Sequence, residues 1–389
     1  MVAYLFIFGR TPKLAFTELT SLYPQSLLIT DDVAVLQVTC DFPVHQAMMR
    51  LGGTVKIAKV LGHEASLDAS SLVKYLVAEN NDVIFGISFY GMRDPPKSLD
   101  AECKNALKKQ GINARYVHPK DGCALSSVSI DKNKVQELIV IKDTHVGYTV
   151  SLTIEVQPYE DWGARDYRRP FADPRMGMLP PKIARMIVNI ANPGNVRTSH
   201  EHTPVLLDPF CGMGTILAEA YMTGWEVWGS DTSGDAVAKC YQNLDWLSRT
   251  YTQPQGTVKN IEVCDAVHVS QHHAPVSFDA IVTEPYLGKT NIVIGKSVNR
   301  EHIRNMIKGL EKLYIGCLKD WHSILKPDGK VVIAFPSYDI SGHFYSVKKV
   351  IDMCENLGYT IDVGPIAYFR PHAIVRREFY VLKVNYGTR

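Results

Sequence analysis

The fold is decided by the stretch Leu206-Leu207-Asp208-Pro209-Phe210-Cys211-Gly212-Met213-Gly214-Thr215-Ile216-Leu217-Ala218-Glu219-Ala220. It predicts a buried parallel strand that ends at Asp208, a turn with two glycines, and a helix that starts at Thr215. Gly212 and Gly214 allow backbone angles closed to other residues and let a ligand approach the main chain. Because ligands of open α/β sheets bind beyond the carboxyl ends of the strands, this stretch predicts a nucleotide-type cofactor loop. The candidate contacts in it are Asp208, Phe210, Gly212, Gly214 and Thr215.

The loop favours S-adenosylmethionine over a dinucleotide. A dinucleotide site needs a third glycine, and Leu217 stands in its place. Asp208 would repel a pyrophosphate but attract the ammonium group of S-adenosylmethionine. A second acid, Asp231, ends the next predicted strand 23 residues later, which is close to the spacing of a ribose-binding carboxylate. A tight strand-to-helix turn without a ligand is the alternative interpretation.

A second polar loop follows the apolar run at 278–283 and contains Glu284, Pro285 and Tyr286. Methylation of an exocyclic amine requires acceptors for its N–H groups and a fixed base plane, because the nitrogen lone pair is delocalised into the ring. A carboxylate, a carbonyl held by proline and an aromatic face would supply these requirements. Taken alone, Glu-Pro-Tyr is more often an ordinary turn at the end of a strand. Its position at the end of the fourth strand of a doubly wound sheet, downstream of a cofactor loop, favours a catalytic role.

Three motifs resemble the THUMP-domain tRNA guanine-N2 methyltransferases of archaea and eukaryotes. They are the segments 208–215, 165–170 and 177–184, and the last, Gly-Met-Leu-Pro-Pro-Lys-Ile-Ala, is fairly specific for that group. The resemblance covers most of the chain. It implies an α/β fold in which a Rossmann-like, doubly wound methyltransferase domain is preceded by a ferredoxin-like plus THUMP region. It also implies methylation of the guanosine at position 10 of tRNA.

The resemblance also implies roles for individual residues. Glu284 takes the place of the family's catalytic acid, and Pro285 supplies the carbonyl. The family usually has Asp-Pro-Pro-Tyr-Gly, whereas this chain has a longer acid and places Tyr286 one position earlier. Asp265 would lie at the adenine amino group, although a turn or helix cap also explains it. The residues expected against the methionine end of the cofactor are Met178, Leu179 and Pro180.

Composition describes a globular, two-part protein. The chain has 389 residues, is 46% hydrophobic and carries a net charge of +2, so RNA affinity must come from local patches. Its eight cysteines are scattered, which indicates a reducing compartment and makes a zinc site improbable. We expect a cytoplasmic protein with no membrane span, since residues 1–9 resemble a first strand rather than a leader. The expected partner is tRNA, and the need for a small activator subunit is left open.

Three groups of cations are candidates for RNA contact. The first lies on a predicted helix and just after it: Lys104, Lys108, Lys109 and Arg115. A solvated helix face is an equally good interpretation of the three lysines. The second lies in a predicted linker, and arginine there suits phosphate recognition: Arg165, Arg168, Arg169 and Arg175. The third precedes or starts the last predicted strand, where the solubility of an edge strand explains it equally well: Arg370, His372, Arg376 and Arg377.

The predicted organisation has three parts. Residues 1–156 form the N-terminal region, 157–175 the proline- and arginine-bearing linker, and 176–389 the methyltransferase domain. Helices are expected at 15–23, 44–51 and 180–191.

Three other functions are compatible with the sequence: an amino-methyltransferase acting on another RNA or on DNA adenine, a non-catalytic RNA-binding relative, and, least favoured, a dehydrogenase.

Overall fold

The computed structural model describes residues 1–120, 123–143, 147–172, 178–193, 203–251, 256–288, 300–340, 342–369 and 373–386. The chain forms two compact units, Met1–Trp162 and Gly163–Arg389. The division falls inside the stretch that the sequence predicts to be a linker. The described part of that stretch is largely helical, with α6 (Tyr159–Gly163) followed by a π-helical turn at Ala164–Arg168.

The first unit is an α/β structure built on one eight-stranded sheet. Its strands are β1 (Val2–Phe8), β2 (Leu27–Thr30), β3 (Val33–Val38), β4 (Thr54–Glu64), β5 (Asp82–Tyr90), β6 (Asn113–Tyr116), β7 (Gln136–Asp143) and β8 (Gly147–Val156). Its helices are α1 (Pro12–Leu22), α2 (Val44–Arg50), α3 (Ala69–Val73), α4 (Leu99–Lys109) and α5 (Ser127–Asn133). The helices predicted at 15–23 and 44–51 are therefore confirmed to within a few residues.

The sheet of the first unit has the strand order β2-β3-β1-β4-β8-β7-β5-β6. Most neighbours are antiparallel, but β5 pairs in parallel with both β6 and β7. A buried ion pair lies within this sheet, where Lys56 Nζ is 2.5 Å from Glu137 Oε1. Thr153 also donates to Glu137, so the buried carboxylate has several donors, as a charge removed from water requires.

The second unit alternates strands and helices. Its strands are β9 (Val205–Asp208), β10 (Glu226–Asp231), β11 (Thr257–Val263), β12 (Phe278–Thr283), β13 (Leu325–Ile340), β14 (His343–Ser346), β15 (Tyr359–Tyr368) and β16 (Val375–Val384). Its helices are α7 (Pro181–Ile190), α8 (Thr215–Met222), α9 (Gly234–Thr250), α10 (Arg300–Trp321) and α11 (Lys348–Met353). The strand, turn and helix predicted around Gly212 and the helix predicted at 180–191 are confirmed.

The main sheet of this unit has the order β11-β10-β9-β12-β13-β16-β15. The first five strands are parallel, and the order reverses between β9 and β12, which is where open α/β sheets bind ligands. The last strand, β16, is antiparallel and lies between β13 and β15. The expectation that β16 could be an edge strand is therefore wrong.

A large apolar cluster joins α10 to the sheet through Tyr314, Trp321, Phe335 and Tyr338, all at most 1% exposed. This packing fixes the ends of β12 and β13 against α10. None of the helices in the described residues is long and apolar enough to cross a membrane.

Candidate active site

The loop after β9 has the geometry that its glycines predict. Gly212 and Gly214 have φ angles of 49° and 83°, in the left-handed region. A Cβ atom at Gly214 would lie 2.5 Å from the sulfur of Cys240, so only glycine fits there. A Cβ atom at Gly212 would meet nothing within 4 Å, so the main chain is open to a ligand at this point. Thr215 begins α8 directly after the loop.

Asp231 connects this loop to the end of β10. Its two carboxylate oxygens accept hydrogen bonds from the Gly212 N–H at 3.0 Å and the Ser233 N–H at 2.9 Å. The side chain of Ser233 in turn caps α9 by accepting from the Ala236 N–H. Asp231 is half-buried, so the structure holds a carboxylate in a fixed orientation beside the open loop.

Asp208 lies deeper than the sequence suggests. It is 1% exposed, and its Oδ1 accepts from the hydroxyl of Thr283 at 2.7 Å and from the Phe210 N–H at 3.2 Å. Burial raises the pKa of Asp208 to about 7. The carboxyl group therefore joins the ends of β9 and β12 across the reversal of strand order. Its burial does not fit the expected direct contact with the ammonium group of a cofactor.

The loop after β12 carries the predicted catalytic residues. Glu284 is partly buried and forms an ion pair with the guanidinium Nε of Arg377, on β16. Pro285 is buried, whereas Tyr286 is 54% exposed. The structure therefore presents a fixed carboxylate and an accessible aromatic ring on one short loop. The contact between Glu284 and Arg377 joins residues 93 positions apart, so no local sequence motif indicates it.

Two buried tyrosines hold the backbone of this loop. The Tyr314 hydroxyl donates to the Tyr286 carbonyl at 2.6 Å, and the Tyr338 hydroxyl donates to the Leu287 carbonyl. Burial raises the pKa of both phenols, so they remain protonated donors at neutral pH. Gly288 follows with a φ of 87°, and a Cβ atom there would lie 2.4 Å from the Tyr338 hydroxyl. The loop conformation is thus fixed from below by α10 and β13.

The positions of Arg165 and Arg169 do not agree with the expected contact with RNA phosphates. Arg165 and Arg169 are 4% and 8% exposed, so neither offers its charge to a phosphate at the surface. Arg165 Nε bonds Glu219 Oε1 at 2.8 Å, and Arg169 donates to the Thr215 hydroxyl at 2.8 Å. These arginines are structural partners of α8. Of the candidates in the predicted linker, Arg168 is exposed, and Arg175 lies outside the described residues.

The residues expected at the methionine end of the cofactor precede α7. Leu179 is buried and Pro180 is the residue before the helix. The sulfur of Met178 is 3.7 Å from the guanidinium of Arg169, which also donates to Thr215. Met178 therefore lies near the start of α8.

The two remaining candidates for cofactor contact, Phe210 and Asp265, differ in exposure. Phe210 is half-buried, with its ring 6.4 Å from that of Trp321, whereas Asp265 is exposed and accepts from the Val267 N–H at 3.2 Å.

The cations predicted in the first unit are accessible. Four of them are exposed on α4 and β6: Lys104, Lys108, Lys109 and Arg115. Lys104 Nζ lies 5.7 Å from the ring centroid of Tyr116. These positions suit contact with a polyanion and equally suit a solvated helix face.

One group of potential metal ligands was not indicated by the cysteine spacing. Glu262, Cys264 and His272 place ligand atoms within 4.8 Å of one another near the end of β11. His272 Nδ1 is 3.3 Å from Glu262 Oε1, so an ordinary ion pair accounts for their approach. We assign this group no metal.

Comparison with known families gives an independent view of the second unit. Residues 165–357 match the family described as RMKL-like, methyltransferase domain. The match covers just under half of the chain and includes the glycine loop, Asp231, Asp265 and the loop at Glu284.

Curated relatives come from archaea. The chain is 30% identical over 220 residues to the tRNA (guanine(10)-N2)-dimethyltransferase of Pyrococcus abyssi, covering 56% of this chain and 53% of the relative. It is 31% identical over 190 residues to the protein of that name from Methanothermobacter thermautotrophicus, covering 49% of this chain and 45% of the relative. The chain therefore spans about half the length of the curated relatives it matches.

A solved structure supports the fold alone. The crystal structure described as a possible methylase from Clostridium difficile 630 aligns with a TM-score of 0.51 and 13% identity, covering 100% of this chain and 99% of that chain. Strand order, loop geometry and the family match agree on the class of the second unit, a Rossmann-like α/β domain of the methyltransferase type.

Proposed function

We propose that this protein transfers a methyl group from S-adenosylmethionine to the exocyclic N2 amine of a guanosine in tRNA. The observation that carries the proposal is the loop at Glu284–Tyr286, which follows β12 directly beside the glycine loop at the reversal of strand order. Its carboxylate and exposed ring suit a planar amine-bearing base. The names of the archaeal relatives support the choice of tRNA guanine as the substrate.

The residues at the glycine loop fit S-adenosylmethionine. The open backbone at Gly212 and the ordered carboxylate of Asp231 suit a ribose whose two hydroxyls donate hydrogen bonds. Asp265 is exposed near the next strand end and is available to an adenine amino group. Met178 to Pro180 would pack against the methionine end. The half-buried carboxylate of Asp231, fixed beside the loop, favours a cofactor without phosphates over a dinucleotide.

When bound, S-adenosylmethionine supplies an electrophilic methyl group, and the protein orients the acceptor. Glu284 accepts a hydrogen bond from the amine N–H and directs the nitrogen lone pair, while Arg377 fixes the carboxylate. Tyr286 stacks on the target base after that base leaves its helix. The nitrogen becomes more acidic as it gains the methyl group. Its proton then passes to Glu284 or to water, so no strong base is needed before transfer.

The finer parts of the proposal follow the same relatives. We place the target guanosine at position 10 and assign the first unit to a ferredoxin-like plus THUMP region that grips tRNA. The α/β sheet of that unit and the exposed Lys104, Lys108, Lys109 and Arg115 support the assignment. We place the activity in the cytoplasm, where its tRNA substrate is found.

Nucleoside analysis tests the proposal directly. The purified full chain is incubated with S-adenosylmethionine and an unmodified tRNA transcript, and the digested RNA is examined by mass spectrometry. We expect N2-methylguanosine, and none from a transcript in which adenosine replaces guanosine at position 10. A methylated adenine or another modified base would identify a different amino-methyltransferase. Binding of cofactor and tRNA without product would indicate a non-catalytic relative.

A further inference from the structure

Two exposed phenylalanines meet at a single arginine. All 13 phenylalanines lie in the described part of the chain, and of these only Phe344 and Phe369 are exposed, at 63% and 53%. The guanidinium carbon of Arg376 is 5.0 Å from the ring centroid of each. We name these three residues, Phe344, Arg376 and Phe369, the Phe–Arg–Phe stack. Two exposed rings arranged around one guanidinium form an aromatic surface that is open to a ligand.

The stack is held in place by Asp339 of β13. Asp339 forms an ion pair with Arg376 at 2.7 Å, and Phe344 is the residue opposite Asp339 in the β13–β14 pairing. A guanidinium near an aromatic face is attracted electrostatically to the ring. The rings are therefore oriented before any partner arrives, and a large part of each remains accessible.

The stack lies at the same end of the sheet as the candidate active site, with the side chains of Arg376 and Arg377 on opposite faces of β16 because successive side chains of a strand alternate. Arg376 is followed in β16 by Arg377, the partner of Glu284. It is preceded by Val375, which pairs with Tyr338, and Tyr338 holds the Leu287 carbonyl of the catalytic loop. The start of one strand thus contributes both to the stack and to the support of the catalytic loop.

We propose that the Phe–Arg–Phe stack binds an unpaired base of the RNA next to the target guanosine. The inference rests on the proposed function, since removing a base from a helix also disrupts the stacking of its neighbours. Aromatic rings and guanidinium planes are the surfaces on which proteins stack unpaired RNA bases. An apolar protein segment would gain little from a guanidinium already paired with Asp339, so a nucleobase fits the site better.

The test compares two double variants of the full chain. Phe344→Leu with Phe369→Leu keeps apolar bulk but removes both rings, whereas Phe344→Tyr with Phe369→Tyr keeps them. Because stacking contributes substantially per base, we expect the leucine variant to bind a tRNA transcript about five-fold to a hundred-fold more weakly. The tyrosine variant should bind within about two-fold of wild type on the same basis. S-adenosylmethionine affinity, measured by calorimetry, should be unchanged in both variants.

Unchanged tRNA affinity in the leucine variant would overturn the proposal and leave the stack to a protein partner. A wild-type protein that forms no methylated guanosine would instead contradict the proposed function. If the leucine variant loses cofactor affinity as well, photo-cross-linking of wild-type protein to a 5-bromouridine-substituted transcript decides. Cross-linked peptides containing Phe344 or Phe369 would support the stack, and cross-links confined to other regions would overturn it.

Discussion

Two of the carboxylate–arginine pairings in the second unit differ in depth and in neighbours. Glu219 is 1% exposed and forms ion pairs with Arg165 at 2.8 Å and with Arg185 at 2.6 Å. Glu284 lies on a loop beside an exposed tyrosine and pairs with Arg377 of β16. The side chain of Glu284 is 17% exposed and that of Arg377 is 11% exposed. The first pairing fixes α8 within the domain. The second holds a carboxylate where a substrate can reach it, so the same chemistry serves stability in one place and orientation in the other.

The largest effect should come from the deeper pairing. Glu219→Ala leaves two buried guanidinium groups without their shared carboxylate, and loss of one partner from a buried pair costs about 3–5 kcal/mol. Thermal and urea unfolding would measure this change. Asp235→Ala is the matched control, because it breaks an exposed pair with Lys239 and should cost about 0.3–0.5 kcal/mol. Equal losses of unfolding free energy in the two variants would show that the buried pairing is no more important for stability than the exposed one.

The shallower pairing should affect rate more than stability. Arg377→Ala leaves Glu284 less well oriented, so single-turnover methylation should slow by about ten-fold to a hundred-fold, as expected for one charged hydrogen bond. Arg377→Lys should restore part of the rate, and tRNA affinity should change little. Lys383→Ala, in the same strand and in an exposed pair with Asp362, is the control. A wild-type rate in Arg377→Ala would assign this arginine to folding alone.

Features that depend on residues close together in the sequence could be predicted, whereas contacts between distant residues could not. The strand, glycine turn and helix around Gly212 were predictable because they depend on neighbouring residues. The positions of Arg165, Arg169 and Arg377 depend on partners 54, 46 and 93 residues away. Their places in the sequence therefore suggested phosphate contact for the first two, and RNA contact or solubility for Arg377. The burial of Asp208 likewise depends on Thr283 of a different strand.

The smallest effect concerns the arginine that stays exposed. If Arg168 contacts a phosphate, Arg168→Ala should reduce the salt dependence of tRNA binding by at most about 0.7–0.9 in the logarithmic slope. Cofactor affinity should stay at the wild-type value. Arg249→Ala, exposed on α9 and paired with Asp245, provides a control. A slope unchanged in Arg168→Ala would make this residue part of the solvated surface.

The measurement that tests the account most directly is single-turnover methylation of tRNA by Glu284 variants. Loss of the charged acceptor in Glu284→Ala should slow transfer by about ten-fold to a hundred-fold, while tRNA and S-adenosylmethionine affinities stay near wild type. Glu284→Gln retains a carbonyl oxygen of similar reach and should fall between alanine and wild type. A Glu284→Ala protein that methylates tRNA at the wild-type rate would contradict the role assigned to this carboxylate.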